Sequence, residues 1–149
     1  MNESTVLSPI HDKNQMGSEN RSWIGVDLDS TWADTTDPVH RRAPFPIGPE
    51  IAAVRTVIDR IHSTGELWLR GRKLAERIGQ VKCFTARAND PTQLQMVRDW
   101  LTRVGLPHLE ITAKKDFDMV WSLDDRAITV VPCTGQPLSV PSWGASSVD

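Results

Sequence analysis

Short, mostly apolar runs recur along the chain and are typical of strands, whereas two longer stretches carry the periodicity of helices. The predicted strands cover residues 23–26, 81–84, 109–112, 119–123 and 127–131. Between the first two, apolar residues recur at three- and four-residue steps from Ile51 to Ile61, which predicts an amphipathic helix ending near Gly65. The sequence Asn89-Asp90-Pro91 is a helix start signal, and the helix it predicts ends before Gly105.

Two segments between these elements have less regular patterns. Residues 32–49 contain four prolines, so this segment is predicted to be a loop or flap rather than a continuous helix. Residues 66–80 are predicted to form a further helix, interrupted at Gly71, with apolar positions at Leu67, Leu69, Leu74 and Ile78. Their basic residues are interpreted as a solvated helix face, with a phosphate-binding patch as the alternative.

Strands that alternate with helices predict an α/β fold, a Rossmann-like three-layer sandwich. Its central sheet is expected to be mainly parallel, with right-handed crossovers and helices on both faces. Residues 21–133 are expected to form this domain, between a flexible arm at 1–20 and a flexible tail at 134–149.

Composition excludes several classes of function. The chain has 149 residues and a net charge of −2, which argues against a surface that coats nucleic acid and against a polybasic membrane anchor. The four histidines lack metal-ligand spacing, and no stretch has the apolar length of a membrane span. Cys83 and Cys133 suggest no disulfide, and the polar start lacks a secretory segment, so we expect a cytoplasmic protein.

The sequence Asp27-Leu28-Asp29 directly follows the first predicted strand. Residues i and i+2 of a strand share a face, so the two carboxylates are expected to converge where the strand opens into a loop. At about 4 Å apart they would repel by about 4 kcal/mol at an effective dielectric near 20, so a buried pair needs Mg²⁺, a proton or a basic partner. The alternative is that the aspartates only cap a turn or helix.

Further polar signals follow other predicted strands, at Thr85, Lys115 and Asp124-Asp125. In this order the chain resembles the haloacid dehalogenase-like hydrolases over residues 23–135. The four motifs that carry the resemblance are Asp27-Leu28-Asp29-Ser30-Thr31, Phe84-Thr85-Ala86-Arg87, Lys115-Asp116 and Leu123-Asp124-Asp125-Arg126.

The resemblance implies phosphoryl transfer through an aspartyl-phosphate. Asp27, ionised at its ordinary pKa, would be the nucleophile, and Asp29 the general acid and base, its pKa raised by neighbouring negative charge. Mg²⁺ would be held by the Asp27 carboxylate, the backbone carbonyl of Asp29, Asp124 and, directly or through water, Asp125.

The resemblance further implies that Thr85 and Lys115 bind the substrate phosphate. Two alternatives stay open: Thr85 caps the following turn, and Lys114 replaces Lys115. Arg87 and Arg126 either reach the substrate or brace the acidic loops. Ser30 stands where the family often has glycine, and serine is tolerable there if its φ stays negative.

The resulting expectation is a Mg²⁺-dependent phosphatase without a large cap domain, acting on a small phosphorylated substrate or on a phosphorylated nucleic-acid end. One alternative is a phosphate-sensing or partner-binding module with little turnover. Another is a signalling receiver domain, but there the acidic pair comes early and the lysine last, whereas here Asp124-Asp125 follow Lys115.

Overall fold

The computed structural model describes residues 20–138 and confirms an α/β fold built on a mainly parallel sheet. Strands and helices are numbered in chain order. The elements are β1 (Trp23–Val26), α1 (Ala52–Thr64), β2 (Leu67–Leu69), β3 (Arg72–Ala75), β4 (Gln80–Phe84), α2 (Pro91–Arg103), β5 (Glu110–Thr112) and β6 (Met119–Leu123). Short 3₁₀ turns cover Pro38–Arg41 and Ala86–Asn89. Of the predicted arm and tail, only residue 20 and residues 134–138 lie within the described range.

The main sheet has the strand order β5-β4-β1-β6, and all its strands are parallel. The chain moves from β1 through α1 to β4, and from β4 through α2 to β5, each time one strand further in the same direction. Right-handed crossovers that advance in one direction place their helices on the same face of a sheet. Both helices therefore cover one face.

The buried core lies between that face and the two helices. Ile24 and Val26 of β1 are in register with Val81 and Cys83 of β4, so these four side chains share a face. They cluster with residues from both helices and from the loop after β1, namely Leu28, Trp32, Ile58, Ile61, Val97, Trp100 and Leu101. Trp32 and Trp100 meet edge to face with ring centroids 5.2 Å apart, a contact that contributes about 1 kcal/mol beyond burial.

The opposite face carries no helix within residues 20–138, which differs from the predicted helices on both faces. The chain returns from β5 to β6 through residues 113–118 alone. On this face the Trp23 indole donates to Asp116 Oδ1 at 2.8 Å, and the Trp23 amide donates to the Asp118 carbonyl at 2.9 Å. Six residues are enough to cross the sheet but too few to add a packed helix.

Local signals explain where the two helices begin and end. Gly65 ends α1 in a left-handed conformation with φ 73°, and its amide donates to the Ile61 carbonyl. Asp90 caps α2, because its carboxylate accepts from the Thr92 and Gln93 amides, and Pro91 fills the first turn. Both predicted helices are confirmed.

The prediction of a helix over residues 66–80 is wrong. Strands β2 and β3 form an antiparallel hairpin there. Arg70 and Gly71 both have positive φ, 52° and 72°, which is the backbone of a tight two-residue hairpin turn. The basic side chains lie on the surface, where Lys73 pairs with Glu76 at 2.8 Å.

The predicted strand over residues 127–131 is also absent. In its place the chain folds back on itself, with a single bridge between Val130 and Pro137 and a hydrogen bond from the Val131 amide to the Gln136 carbonyl. The turn at Cys133, with φ 64°, reverses the chain before a strand can extend. Among residues 20–138, no helix has the length and apolar character needed to cross a bilayer.

Candidate active site

Three carboxylates meet at the carboxyl edge of the sheet. Asp27 directly follows β1, and Asp124 and Asp125 directly follow β6. These strands are neighbours, with Val26 in register with Leu123, and the Asp27 amide donates to the Leu123 carbonyl at 2.9 Å. One oxygen from each carboxylate lies within 4.8 Å of the others. Backbone pairing between the neighbouring strands β1 and β6 therefore fixes the positions of what we call the acid cluster, Asp27, Asp124 and Asp125.

Thr31 joins the two halves of the acid cluster. Its Oγ1 lies 3.2 Å from Asp27 Oδ2 and 3.2 Å from Asp125 Oδ1, and it accepts a hydrogen bond from the Asp125 amide at 3.0 Å. A hydroxyl has a single proton to donate, so it stabilises one of the two carboxylates at a time. The sequence contained this residue within the first motif, but spacing alone gave no reason to assign it a bridging role.

Repulsion within the cluster is concentrated on Asp27. Burial, together with the charges of Asp124 and Asp125 and a hydrogen bond with Asp125, raises the pKa of Asp27 to about 7, while the Thr31 hydroxyl acts in the opposite direction. The ordinary pKa assumed for Asp27 from the sequence therefore does not hold in the folded chain. A cation near the cluster would restore the ionised form.

Asp29 does not join the acid cluster. Both of its oxygens accept from Arg87, with Nε to Oδ2 at 2.7 Å and Nη2 to Oδ1 at 2.8 Å. The predicted convergence of Asp27 and Asp29 fails because β1 ends at Val26 and the chain turns immediately afterwards. The charge that faces Asp29 is positive rather than negative, and the interpretation that Arg87 braces an acidic loop is what the structure shows.

The turn after Asp29 requires a left-handed residue. Ser30 has φ 67°, so the negative φ that would make serine tolerable at this position is not the one it adopts. Its hydroxyl is hydrogen-bonded to that of the buried Thr35. This contact compensates in part for a conformation that glycine adopts more easily.

Thr85 follows β4 and is buried, with only 5% of its surface exposed. Its Oγ1 accepts from the Arg87 amide at 3.2 Å and so caps the 3₁₀ turn that begins at Ala86. The capping role, one of the two interpretations from the sequence, is the one visible in the structure. Phosphate binding by the same hydroxyl stays a prediction.

Lys115 lies away from the Asp29 side of the site. It is exposed on the connection between β5 and β6, and it lines a groove with Phe84, Trp121 and Asp124 on the face opposite the helices. Lys114 is also exposed. Neither ammonium forms an ion pair with an acidic group in the described part of the chain, so the choice between the two lysines stays open.

The predicted flap, residues 32–49, borders the site on its other side. Trp100 Nε1 of α2 donates to the Gly48 carbonyl at 2.8 Å, and Arg87 Nη1 donates to the Phe45 carbonyl at 2.7 Å. Arg87 also bonds to Gln93 of α2. Arg87 therefore connects the flap, Asp29 and α2, a role for which the sequence carried no signal beyond its place in the second motif.

The three comparisons with known proteins give no match among family models, curated proteins or solved structures.

Proposed function

We propose that this chain is a Mg²⁺-dependent phosphatase that hydrolyses a phosphate monoester through an aspartyl-phosphate on Asp27, on a Rossmann-like fold of the haloacid dehalogenase type. The observation that carries the proposal is the acid cluster, which brings together carboxylates from two separate segments at the carboxyl edge of a parallel sheet. In open α/β sheets this edge is where ligands bind.

The donor set fits the proposed ion. Mg²⁺ prefers oxygen ligands at about 2.1 Å, so oxygens on opposite sides of the ion are about 4.2 Å apart. The cluster oxygens lie within 4.8 Å of one another, and small side-chain rotations would close the difference. When bound, Mg²⁺ would neutralise part of the charge on the carboxylates and polarise the phosphoryl oxygens.

In the proposed reaction, an Asp27 oxygen attacks phosphorus and the bond from phosphorus to the leaving oxygen breaks. Protonated Asp29 gives its proton to that oxygen. A water molecule then attacks phosphorus, the bond to Asp27 breaks, and the proton of the water passes to Asp29. Because both Asp29 oxygens are bonded to Arg87, Asp29 must release at least one of these bonds in each cycle.

Lys115 would complete the phosphate site only if the connection between β5 and β6 adjusts. It lines the same groove as Asp124, a member of the acid cluster. Thr85 would need to direct its hydroxyl proton toward the phosphate while it caps the turn.

A second candidate is a phosphate-sensing or partner-binding module with little turnover. The bidentate pairing of Asp29 with Arg87 favours it, because a carboxylate fixed in this way is a poor proton donor. We further propose a reducing, cytoplasmic setting, since Cys83 and Cys133 are both free thiols.

The test is hydrolysis of a generic aryl phosphate by the purified chain, with Mg²⁺ and with EDTA. We expect Mg²⁺-dependent release of phosphate that Asp27→Asn abolishes and that Asp99→Asn, a change on the exposed surface of α2, leaves intact. Activity that is the same in EDTA would exclude the metal role, and full activity of Asp27→Asn would exclude the nucleophile. Binding of phosphate esters without turnover would favour the second candidate.

A further inference from the structure

A cleft of about 630 Å³ opens beside the acid cluster, between the flap and the start of α2. It begins at Asp29 and Arg126, which lie two residues after Asp27 and one residue after Asp125. Its walls also include His40, Arg41, Phe45 and Arg87. A volume in this range suits a small molecule such as a nucleotide.

The acidic groups of the cleft already have partners. Asp29 is neutralised by Arg87 through two hydrogen bonds. Asp90 accepts from the Thr92 and Gln93 amides at the start of α2. Among residues 20–138, neither carboxylate forms an ion pair with Arg41 or Arg126, the other two arginines that line the cleft.

Two of those cations have no acidic partner. The side chains of Arg41 and Arg126 form no ion pair or hydrogen bond with any residue from 20 to 138, and both are exposed. His40 lies next to Arg41, with its Nδ1 2.8 Å from the Pro46 carbonyl, so that nitrogen carries the proton. The cleft thus presents two guanidinium groups to a ligand that enters beside Asp27.

We propose that this cleft receives the leaving group of the substrate, and that it selects a leaving group with a second phosphate, which Arg41 and Arg126 bind. This inference rests on the proposed function and narrows its substrate class to phosphate monoesters whose leaving group is itself a phosphate ester. Guanidinium groups recognise phosphate through paired, charge-assisted hydrogen bonds, which a neutral leaving group cannot form.

The test uses adenosine 3′,5′-bisphosphate and the two adenosine monophosphates with Mg²⁺. We expect kcat/KM for the bisphosphate to exceed that for the better monophosphate by roughly tenfold, as two partly exposed charge pairs would give. The double variant Arg41→Ala/Arg126→Ala should lose this preference, so that its kcat/KM values for the bisphosphate and for the better monophosphate become equal. Arg42→Ala, an exposed neighbour outside the cleft, should behave as the unsubstituted chain.

Failure of this inference differs from failure of the proposed function. If the chain hydrolyses the esters without preference, or if the double variant keeps the preference, the cleft assignment is wrong and the phosphatase stands. If no ester is hydrolysed, the phosphatase fails, and calorimetric titration with the bisphosphate in Mg²⁺ decides the cleft. If the unsubstituted chain binds the bisphosphate and the double variant binds it about tenfold more weakly, the cleft assignment is supported. If the unsubstituted chain does not bind the bisphosphate, the assignment is overturned.

Discussion

Removing one charge from the acid cluster should make the protein more stable when no cation is bound. The substitution is Asp27→Asn, which keeps the shape of the side chain and can donate to the neighbouring carboxylates. Because Asp27 sits beside Asp124 and Asp125 and its pKa is raised to about 7, its ionised form at pH 8 is held in an unfavourable environment. We therefore expect Asp27→Asn to raise the melting temperature in EDTA at pH 8.

The size of this effect follows from the pKa. A rise from 3.8 to about 7 corresponds to at most about 4 kcal/mol. The Asp27 side chain is only partly buried, and solvent screening lowers the contribution to about 1–2 kcal/mol. For a chain of this length, that free energy corresponds to an increase of roughly 3–6 °C in Tm.

The same charge predicts the pH dependence of stability. The folded state holds the Asp27 proton up to about pH 7, whereas the unfolded chain releases it near 3.8, so the folded state binds more protons between these values. The contribution of this group to stability is therefore fully present below pH 3.8 and is lost as the pH rises through 7. The Asp27→Asn variant should lack this loss, which thermal unfolding in EDTA from pH 5 to pH 9 measures.

Bound Mg²⁺ should make the unsubstituted chain more stable than the Asp27→Asn variant, the reverse of the order expected in EDTA. An ion bound at the acid cluster stabilises the folded state in proportion to its occupancy, and Asp27→Asn removes one of its ligands. The unsubstituted chain should gain several degrees in Tm with millimolar Mg²⁺, and the variant much less. Asp99→Asn, far from the cluster, is the matched control. If Asp27→Asn melts at or below the unsubstituted chain in EDTA at pH 8, the account of repulsion is refuted.

Three other substitutions test the surroundings of the site. Ser30→Gly should be more stable than Ser30→Ala by about 1 kcal/mol in urea unfolding, because both lose the same hydroxyl while only alanine is strained at φ 67°; equal stabilities would contradict this. Gly48→Ala should destabilise by more than about 2 kcal/mol, because the new Cβ would lie 1.8 Å from the Asp34 carbonyl oxygen, and an unchanged Tm would contradict that contact. Arg87→Ala should lower kcat for aryl phosphate, because Arg87 also holds the flap at Phe45 and α2 at Gln93 in position around Asp29, whereas Arg87→Lys should recover only part of the loss; activity unchanged in both would show that these contacts have no role.

The parallel core and part of the site were predictable from the sequence because they depend on where strands end. Asp27 and Asp124 follow apolar runs, and the carboxyl ends of adjacent parallel strands lie at one edge. The position of Asp29 was not predictable in the same way. The two-residue period holds only while the strand continues, and the chain turns at Ser30.

The hairpin of β2 and β3 and the number of sheet faces covered by helices do not depend on where strands end, and the sequence predicted both wrongly. Arg70-Gly71 is a weak turn signal, and arginine with positive φ is uncommon, so the sequence favoured a helix. A helix on the second face of the sheet would have to lie in the connection between β5 and β6, because that connection crosses this face. Residues 113–118 are too few for it, and this count could have corrected the prediction from the sequence alone.

The contrast between two nearby aspartates favours a cation-dependent role for the acid cluster over a structural one. Asp29 is neutralised by a bidentate arginine, whereas Asp27, two residues earlier, pairs with no basic side chain within residues 20–138 and faces two further carboxylates. Net stabilities of about 5–15 kcal/mol make a local cost of 1–2 kcal/mol substantial. Arginine pairing neutralises Asp29 in this fold, and the same kind of pairing would have neutralised Asp27 had its role been only structural. The repulsion is confined to the carboxyl ends of the neighbouring strands β1 and β6, where a divalent ion would convert it into binding free energy.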